Sequence, residues 1–297
     1  MDRVEMMELV RSRQVGMVSR REFLQRATAV LGSAVSANLL LAACTPAAED
    51  TLPPVVDSVQ PTGGTGTAVD GDLTTGIVTY PGPADKDLMG YLVYQTDAPP
   101  APGVIVLQEW WGLNDHIKDV TRRFAREGFV ALAPDLYHGV VTTEPNEARK
   151  LVMELDMLTA VSEIEKAVTY LKSRSFVTGG VGVVGFCMGG GLVLQTAVHS
   201  QAPDAGVAFY GSPLNPADAA KVSIPILSFL GTADNIPVSG VEAMHQAFDE
   251  AGVTNAYQIY DGAQHAFFND TRSSYDPTAA ADAWTRTLDW FRQHLPA

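Results

Sequence analysis

Cysteine is nearly absent: Cys44 and Cys187 are the only two in 297 residues, so no disulfide framework holds this chain together. Positive charge is also sparse. Lysine and arginine number 20 against 34 aspartates and glutamates, a formal net charge of −14. A surface for nucleic acid needs a basic patch, which this balance opposes, and no nucleic-acid partner is expected. No His/Cys cluster has metal-ligand spacing, and neither an internal repeat nor a glycine-rich phosphate loop is present. No metal or organic cofactor is implied. The apolar, small-residue stretch Ala27–Ala43 is short for a stable membrane span.

What is present divides into an address, a tether and a domain. In "SRREFLQ", Arg20 and Arg21 stand ahead of Phe23 and Leu24, a charged n-region before the apolar stretch. The pair resembles a twin-arginine export signal, whose substrates cross already folded, although Gln25 replaces the lysine often found there. The stretch ends in "LAAC", which resembles the lipobox of bacterial lipoproteins, with cleavage before Cys44 and a diacylglycerol on its thiol. The alternatives are an ordinary cleaved signal and an uncleaved anchor. Residues 1–43 are thus expected to be a signal peptide. Residues 44–72, rich in Pro, Gly, Thr and acids, are expected to be a flexible tether. The fold is expected over residues 73–297, in a monomer lipid-anchored in the bacterial envelope on its periplasmic or surface side. Its N-terminal partners would be the export machinery and the membrane.

Within the domain, short apolar runs alternate with amphipathic stretches. "GIVTYPG" and "LMGYLVYQT" read as an opening hairpin, whereas "GVIVLQE" and "FVALAPD" are too continuously apolar for a wet face and read as buried strands. "VGVVGF", "AGVAFYG", "IPILSFLG" and "NAYQIYD" continue the strand series. Helical spacing marks "DHIKDVTRRFAREG", "EPNEARKLVMEL", "LTAVSEIEKAVTYLKSR", "MGGGLVLQTAVH", "VSGVEAMHQAFDEAG" and "PTAAADAWTRTLDWFRQHL". Such alternation predicts a mainly parallel α/β sheet with helices on both faces, and ligand sites at the carboxyl ends of its strands.

Three candidate groups fall at such ends. Cys187 lies in Gly185-Phe186-Cys187-Met188-Gly189, a G-x-C-x-G between a strand and a helix. A nucleophile at a sharp strand-to-helix turn needs small neighbours two positions to either side. The following helix would favour thiolate over thiol. A disulfide half and a buried, inert cysteine are the alternatives, the first closed to it if Cys44 is acylated. Asp234 follows "FLGTAD" and could orient a histidine, or could be a simple turn aspartate. His265, in "YDGAQHAFFND", is the histidine so placed; His116, His138, His199, His245 and His294 read mostly as surface residues. Nucleophile, acid and histidine follow one another in the chain order of an α/β-hydrolase.

"QEWWG" (108–112), "PDLY" (134–137), "GFCMGG" (185–190), "GTAD" (231–234) and "HAF" (265–267) together resemble the dienelactone hydrolase (carboxymethylenebutenolidase) family, from about Leu73 to the C-terminus. The resemblance implies an α/β-hydrolase fold with Cys187 as nucleophile, His265 as base and Asp234 as its orienter. It also implies oxyanion donors from Met188 and Trp110, and a Glu109 that engages the resting thiol until substrate displaces it. Trp110, Trp111, Phe267 and Phe268 are candidate pocket walls.

Two departures touch the substrate. The family's "H-S-F-A-R" is "HAFFN" here, with Asn269 at the arginine position, and the other family arginine matches Pro145. Arg149 and Arg272 are the candidate replacements. The expected activity is hydrolysis of esters or lactones through a cysteinyl acyl-enzyme. A thioesterase, a broad carboxylesterase and a binding lipoprotein without turnover are the alternatives.

Overall fold

The computed structural model describes residues 66–83 and 86–296. The segments read as signal and lipobox, and the one read as tether up to residue 65, lie outside them. Among the described residues nine strands form one sheet in the order β1-β2-β3-β5-β4-β6-β7-β8-β9. The strands are β1 (Gly66–Asp70), β2 (Leu73–Pro81), β3 (Asp87–Gln95), β4 (Ala101–Leu107), β5 (Val130–Pro134), β6 (Val177–Phe186), β7 (Ala205–Phe209), β8 (Ile226–Gly231) and β9 (Asn255–Tyr260). The six from β4 to β9 run parallel, while β1, β2 and β3 are antiparallel to their neighbours. This is the α/β-hydrolase arrangement.

Strand β1 was not expected. It falls in the segment read as tether, and it pairs with β2 from Asp70↔Leu73 to Gly66↔Ile77. Its sequence, "GTAVD", carries too little apolar content to register as a strand. The two-residue loop at Gly71, with φ of +64°, lets it fold back on β2.

The helices are α1 (Asp115–Arg126), α2 (Pro145–Glu154), α3 (Met157–Lys172), α4 (Met188–His199), α5 (Val238–Ala251) and α6 (Pro277–His294). Local chemistry sets their ends. Asn114 accepts the Ile117 amide at 3.1 Å to cap α1, and Asp156 accepts that of Thr159 at 2.8 Å to cap α3. Asp276 takes two amides, of Thr278 and Ala279, at 3.0 Å each at the start of α6. Gly252, with φ of +73°, stops α5 in the left-handed conformation.

Helices α3, α4 and α5 cover one face; α1 and α6 meet on the other, where Phe124 lies 6.2 Å from Phe291 and 4.5 Å from Trp284. Covered on both sides, β5, β7 and β8 are buried at every residue. Near their carboxyl ends Phe186, Phe209 and Phe229 sit opposite one another in register, with ring centroids 4.8 and 4.7 Å apart. Phe268 joins them at 5.2 and 5.0 Å from Phe186 and Phe209. Each such pair adds ~0.5–1.5 kcal/mol beyond its buried area. The result is a rigid aromatic floor at the strand ends.

Candidate active site

Five polar side chains stand just past five adjacent parallel strands. Glu109 follows β4, Cys187 follows β6 at once, Tyr210 follows β7, Asp234 follows β8 and His265 follows β9. Cys187 caps α4 with φ of +56° and ψ of −115°, a strained conformation for a residue with a side chain. Its amide donates to Phe209 O at 3.1 Å, and its carbonyl accepts the Gly191 amide at 3.2 Å. The backbone is therefore held on both sides of the strained residue. A Cβ on Gly185 would strike the backbone of Gly189, and one on Gly189 would come within 2.6 Å of Gln108 O. The glycines of the motif are the clearance that lets strand, turn and helix meet.

Cys187 is a free, half-buried thiol. His265 Nδ1 pairs with Asp234 Oδ2 at 2.8 Å, and the other oxygen of Asp234 accepts the Ile236 amide at 3.0 Å. The Asp234 side chain is completely buried, so the imidazole is oriented by a carboxylate that water does not reach. Burial alone would lower the His265 pKa, but the sulfur of Cys187 and the hydrogen bonds to Asp234 and Cys187 lift it well above the ordinary histidine value. A raised pKa favours the protonated imidazole at this position.

Glu109 is buried, with 2% of its surface exposed, and its Oε2 accepts from Asn269 Nδ2 at 2.8 Å. Asn269 thus uses its amide on the carboxylate, and its oxygen accepts from the Thr271 amide and hydroxyl at 3.0 and 2.7 Å. Met188 opens α4, where the first amides have no partner within the helix. Its sulfur accepts the Tyr137 hydroxyl at 3.2 Å. Trp110 is half-buried, its ring 4.8 Å from that of Trp111. The Arg272 guanidinium stacks over Trp111 at 4.3 Å, which brings this arginine to the site's edge.

Other candidates lie elsewhere. Phe267 and Phe268 are buried in the core. Phe267 packs on Tyr210 and Tyr260 at 5.4 and 5.2 Å, so both phenylalanines support the site rather than wall an open cleft. Arg149 hydrogen-bonds Asn146 on its own helix at 3.4 Å, and its Nε is buried without a hydrogen-bond partner. Two of the histidines read as surface residues, His116 and His245, are buried. His116 approaches Asp270 at 3.4 Å, and His245 Nδ1 meets Asn255 Oδ1 at 2.6 Å. Their helices turn these positions inward, a placement that apolar periodicity does not reveal for a polar side chain. Tyr210 was missed. Its signal was its position, next after the strand "AGVAF", beside the nucleophile's strand.

A model of the dienelactone hydrolase family matches residues 88–295. The chain belongs to that family. A protein of Methylorubrum extorquens, provisionally named carboxymethylenebutenolidase, is 37% identical over 227 residues, 71% of this chain and 78% of its own. Protein usf of Aquifex pyrophilus is 39% identical over 206 residues, 65% of this chain and 89% of its own. A crystal structure from Klebsiella pneumoniae, provisionally a dienelactone hydrolase, superposes with a TM-score of 0.68 at 31% identity, covering 75% of this chain and 99% of that one. This member of the dienelactone hydrolase family is a hydrolase of the α/β-hydrolase fold.

Proposed function

We propose that this hydrolase cleaves esters or lactones through Cys187, His265 and Asp234 by way of a cysteinyl acyl-enzyme. The observation that carries this reading is the strained Cys187 at the start of α4, with the Asp234–His265 pair directed to its sulfur. The thiolate attacks the acyl carbon, and the carbonyl oxygen takes up the charge between the amides of Met188 and Trp110. Collapse expels the alkoxide, which takes its proton from the His265 imidazolium. Neutral His265 then draws a proton from water as the hydroxide attacks the thioester. The second collapse releases the acid and restores the thiolate–imidazolium pair. Asp234 stays ionised throughout and holds the imidazole in the tautomer this exchange needs. Glu109 engages the resting thiol and gives way to substrate, and Trp111 and Arg272 border the entrance.

A panel of activated esters, lactones and thioesters, assayed with Cys187→Ala and His265→Ala controls, tests the mechanism. Turnover of esters and lactones that vanishes in both variants is expected. Unchanged turnover in Cys187→Ala would sink the mechanism, faster turnover of thioesters would reassign the substrate, and saturable binding without turnover would make the protein a binder.

The same proposal places the enzyme outside the cytoplasm on a lipid anchor, with Arg20 and Arg21 as its export signal and Cys44 as its lipid attachment point. Mass spectrometry of the mature N-terminus should find a diacylglyceryl Cys44. An unmodified terminus would overturn the anchor.

A further inference from the structure

The mechanism above leaves one buried group at the site without a task. Tyr210 is 1% exposed and sits at φ of +38°, in the left-handed region that a bulky side chain rarely occupies. Its amide donates to Phe229 O at 2.8 Å, which fixes the backbone at the end of β7. The ring is clamped by His265 at 5.0 Å, Phe267 at 5.4 Å and Phe209 at 6.1 Å. Backbone strain of this kind persists where the surrounding structure holds a side chain in a required place.

That place is polar. Among the described residues the Tyr210 hydroxyl has no closed hydrogen bond, and neither has Oε1 of Glu109, although both are buried. Each such orphan is costly to bury. Yet after burial itself, the Glu109 carboxylate is the strongest influence on this phenol, ahead of Cys187 and Asp234, and it alone also acts as a hydrogen-bond partner. Both orphans thus lie in the same buried cluster as Cys187 and Asp234. Glu109 is held by Asn269 through Oε2, and among the described residues its Oε1 accepts no hydrogen bond. The gating role proposed for Glu109 gives Oε1 the Cys187 thiol as one donor; the phenol is the second candidate.

We propose that Tyr210 is a positioning residue for the thiol gate: its hydroxyl receives Oε1 of Glu109 when the carboxylate leaves the Cys187 sulfur. The inference rests on the gating role proposed for Glu109. No covalent step is involved. The thiol proton that Glu109 releases passes to His265, and the phenol keeps its own while donating it in a hydrogen bond. The charged and titratable groups around this exchange are Cys187 after β6, Asp234 after β8 and His265 after β9. His116 of α1 also faces Glu109, and Asp270 lies 3.4 Å from that histidine. Without the hydroxyl, Oε1 loses this second donor, and the resting state deepens.

A double-mutant cycle of Tyr210→Phe and Glu109→Gln tests this, read as the rate of Cys187 alkylation by iodoacetamide without substrate, over a range of pH. The phenylalanine keeps the ring and its packing. Glu109→Gln should speed alkylation at neutral pH. Tyr210→Phe should slow it about tenfold, the scale of one hydrogen bond to a charged group, and move the rise of the profile to higher pH. In the Glu109→Gln background the tyrosine substitution should change the rate less than twofold. A Tyr210→Phe rate and profile equal to the parent's, with Glu109→Gln accelerated, would overturn the role of Tyr210 and leave the gate standing. A silent Glu109→Gln would bring down the gate and the inference together. Equal slowing in both backgrounds would also overturn it, since the hydroxyl would then act on Cys187 or His265 directly.

Discussion

Cys187, at the residue scale, draws its chemistry from a backbone angle and a neighbour rather than from its own type. A cysteine at φ of +56° ahead of a helix is held away from the relaxed conformations that a filler would adopt, and His265 supplies the cation beside it. Asp234 is the third partner, and its removal leaves the imidazole both misoriented and less basic. Asp234→Asn should therefore lower kcat/KM by about 10²–10⁴-fold, the range seen when a buried orienting acid is lost. The sign of the accompanying pH effect follows from His265, whose pKa the sulfur and the carboxylate raise. In the variant the imidazolium should lose its proton at lower pH, visible as an acid-shifted Cε1 proton titration in NMR. An unshifted titration would mean that Asp234 does not set the charge on His265. How a family arginine position came to hold Asn269 also becomes intelligible here. Its amide donates to buried Glu109, which commits one of its two N–H groups to that carboxylate.

At the scale of elements, the parallel strands and their helices were legible because burial on both faces writes itself as unbroken apolar runs. Strand β1 was not, because an edge strand of small and polar residues carries no such run. The same limit hid the inward turn of His116 and His245. Helix α4 was legible in spite of its glycines, and the structure separates their roles. A Cβ on Gly189 would meet Gln108 O at 2.6 Å and one on Gly190 would meet Phe209 O at 2.5 Å, both rigid backbone atoms. On Gly191 the nearest atom would be Ser212 N at 3.8 Å, an ordinary contact. Alanine at 189 or 190 should destabilise the fold by about 1–3 kcal/mol or more through overpacking. Alanine at 191 should stabilise it by ~0.5–1 kcal/mol, because a helical glycine is replaced without a clash. Urea midpoints of the three variants check this. Three equal effects would show that the glycines serve the helix in some common way instead of setting its distance from β4 and β7.

On the scale of the whole molecule, three histidines oppose one another in the dependence of stability on pH. His245 has its Nδ1 at Asn255 Oδ1, so that nitrogen carries the proton, and Nε2 is buried with no partner. A second proton would have to sit on Nε2 facing apolar surroundings, and burial accordingly lowers the His245 pKa. His116 is lowered for the same first reason, against the pull of Glu109 and Asp270. Both groups bind more protons when unfolded than when folded. Their contribution is therefore present above the unfolded value of about 6.5 and is lost as pH falls through it toward the folded value. His265 has the opposite sign. Its raised pKa contributes stability fully below about 6.5, and that contribution disappears as pH rises through the folded value. Acidification from neutral pH should thus lower the urea midpoint of the parent protein. His245→Gln should flatten that acid-side loss, since an amide in the same place takes up no proton. His265→Gln should instead flatten the decline on the alkaline side and leave the acid side as it was. Parent and His245→Gln midpoints that fall in parallel on acidification would place the acid sensitivity in other groups, the buried carboxylates first among them.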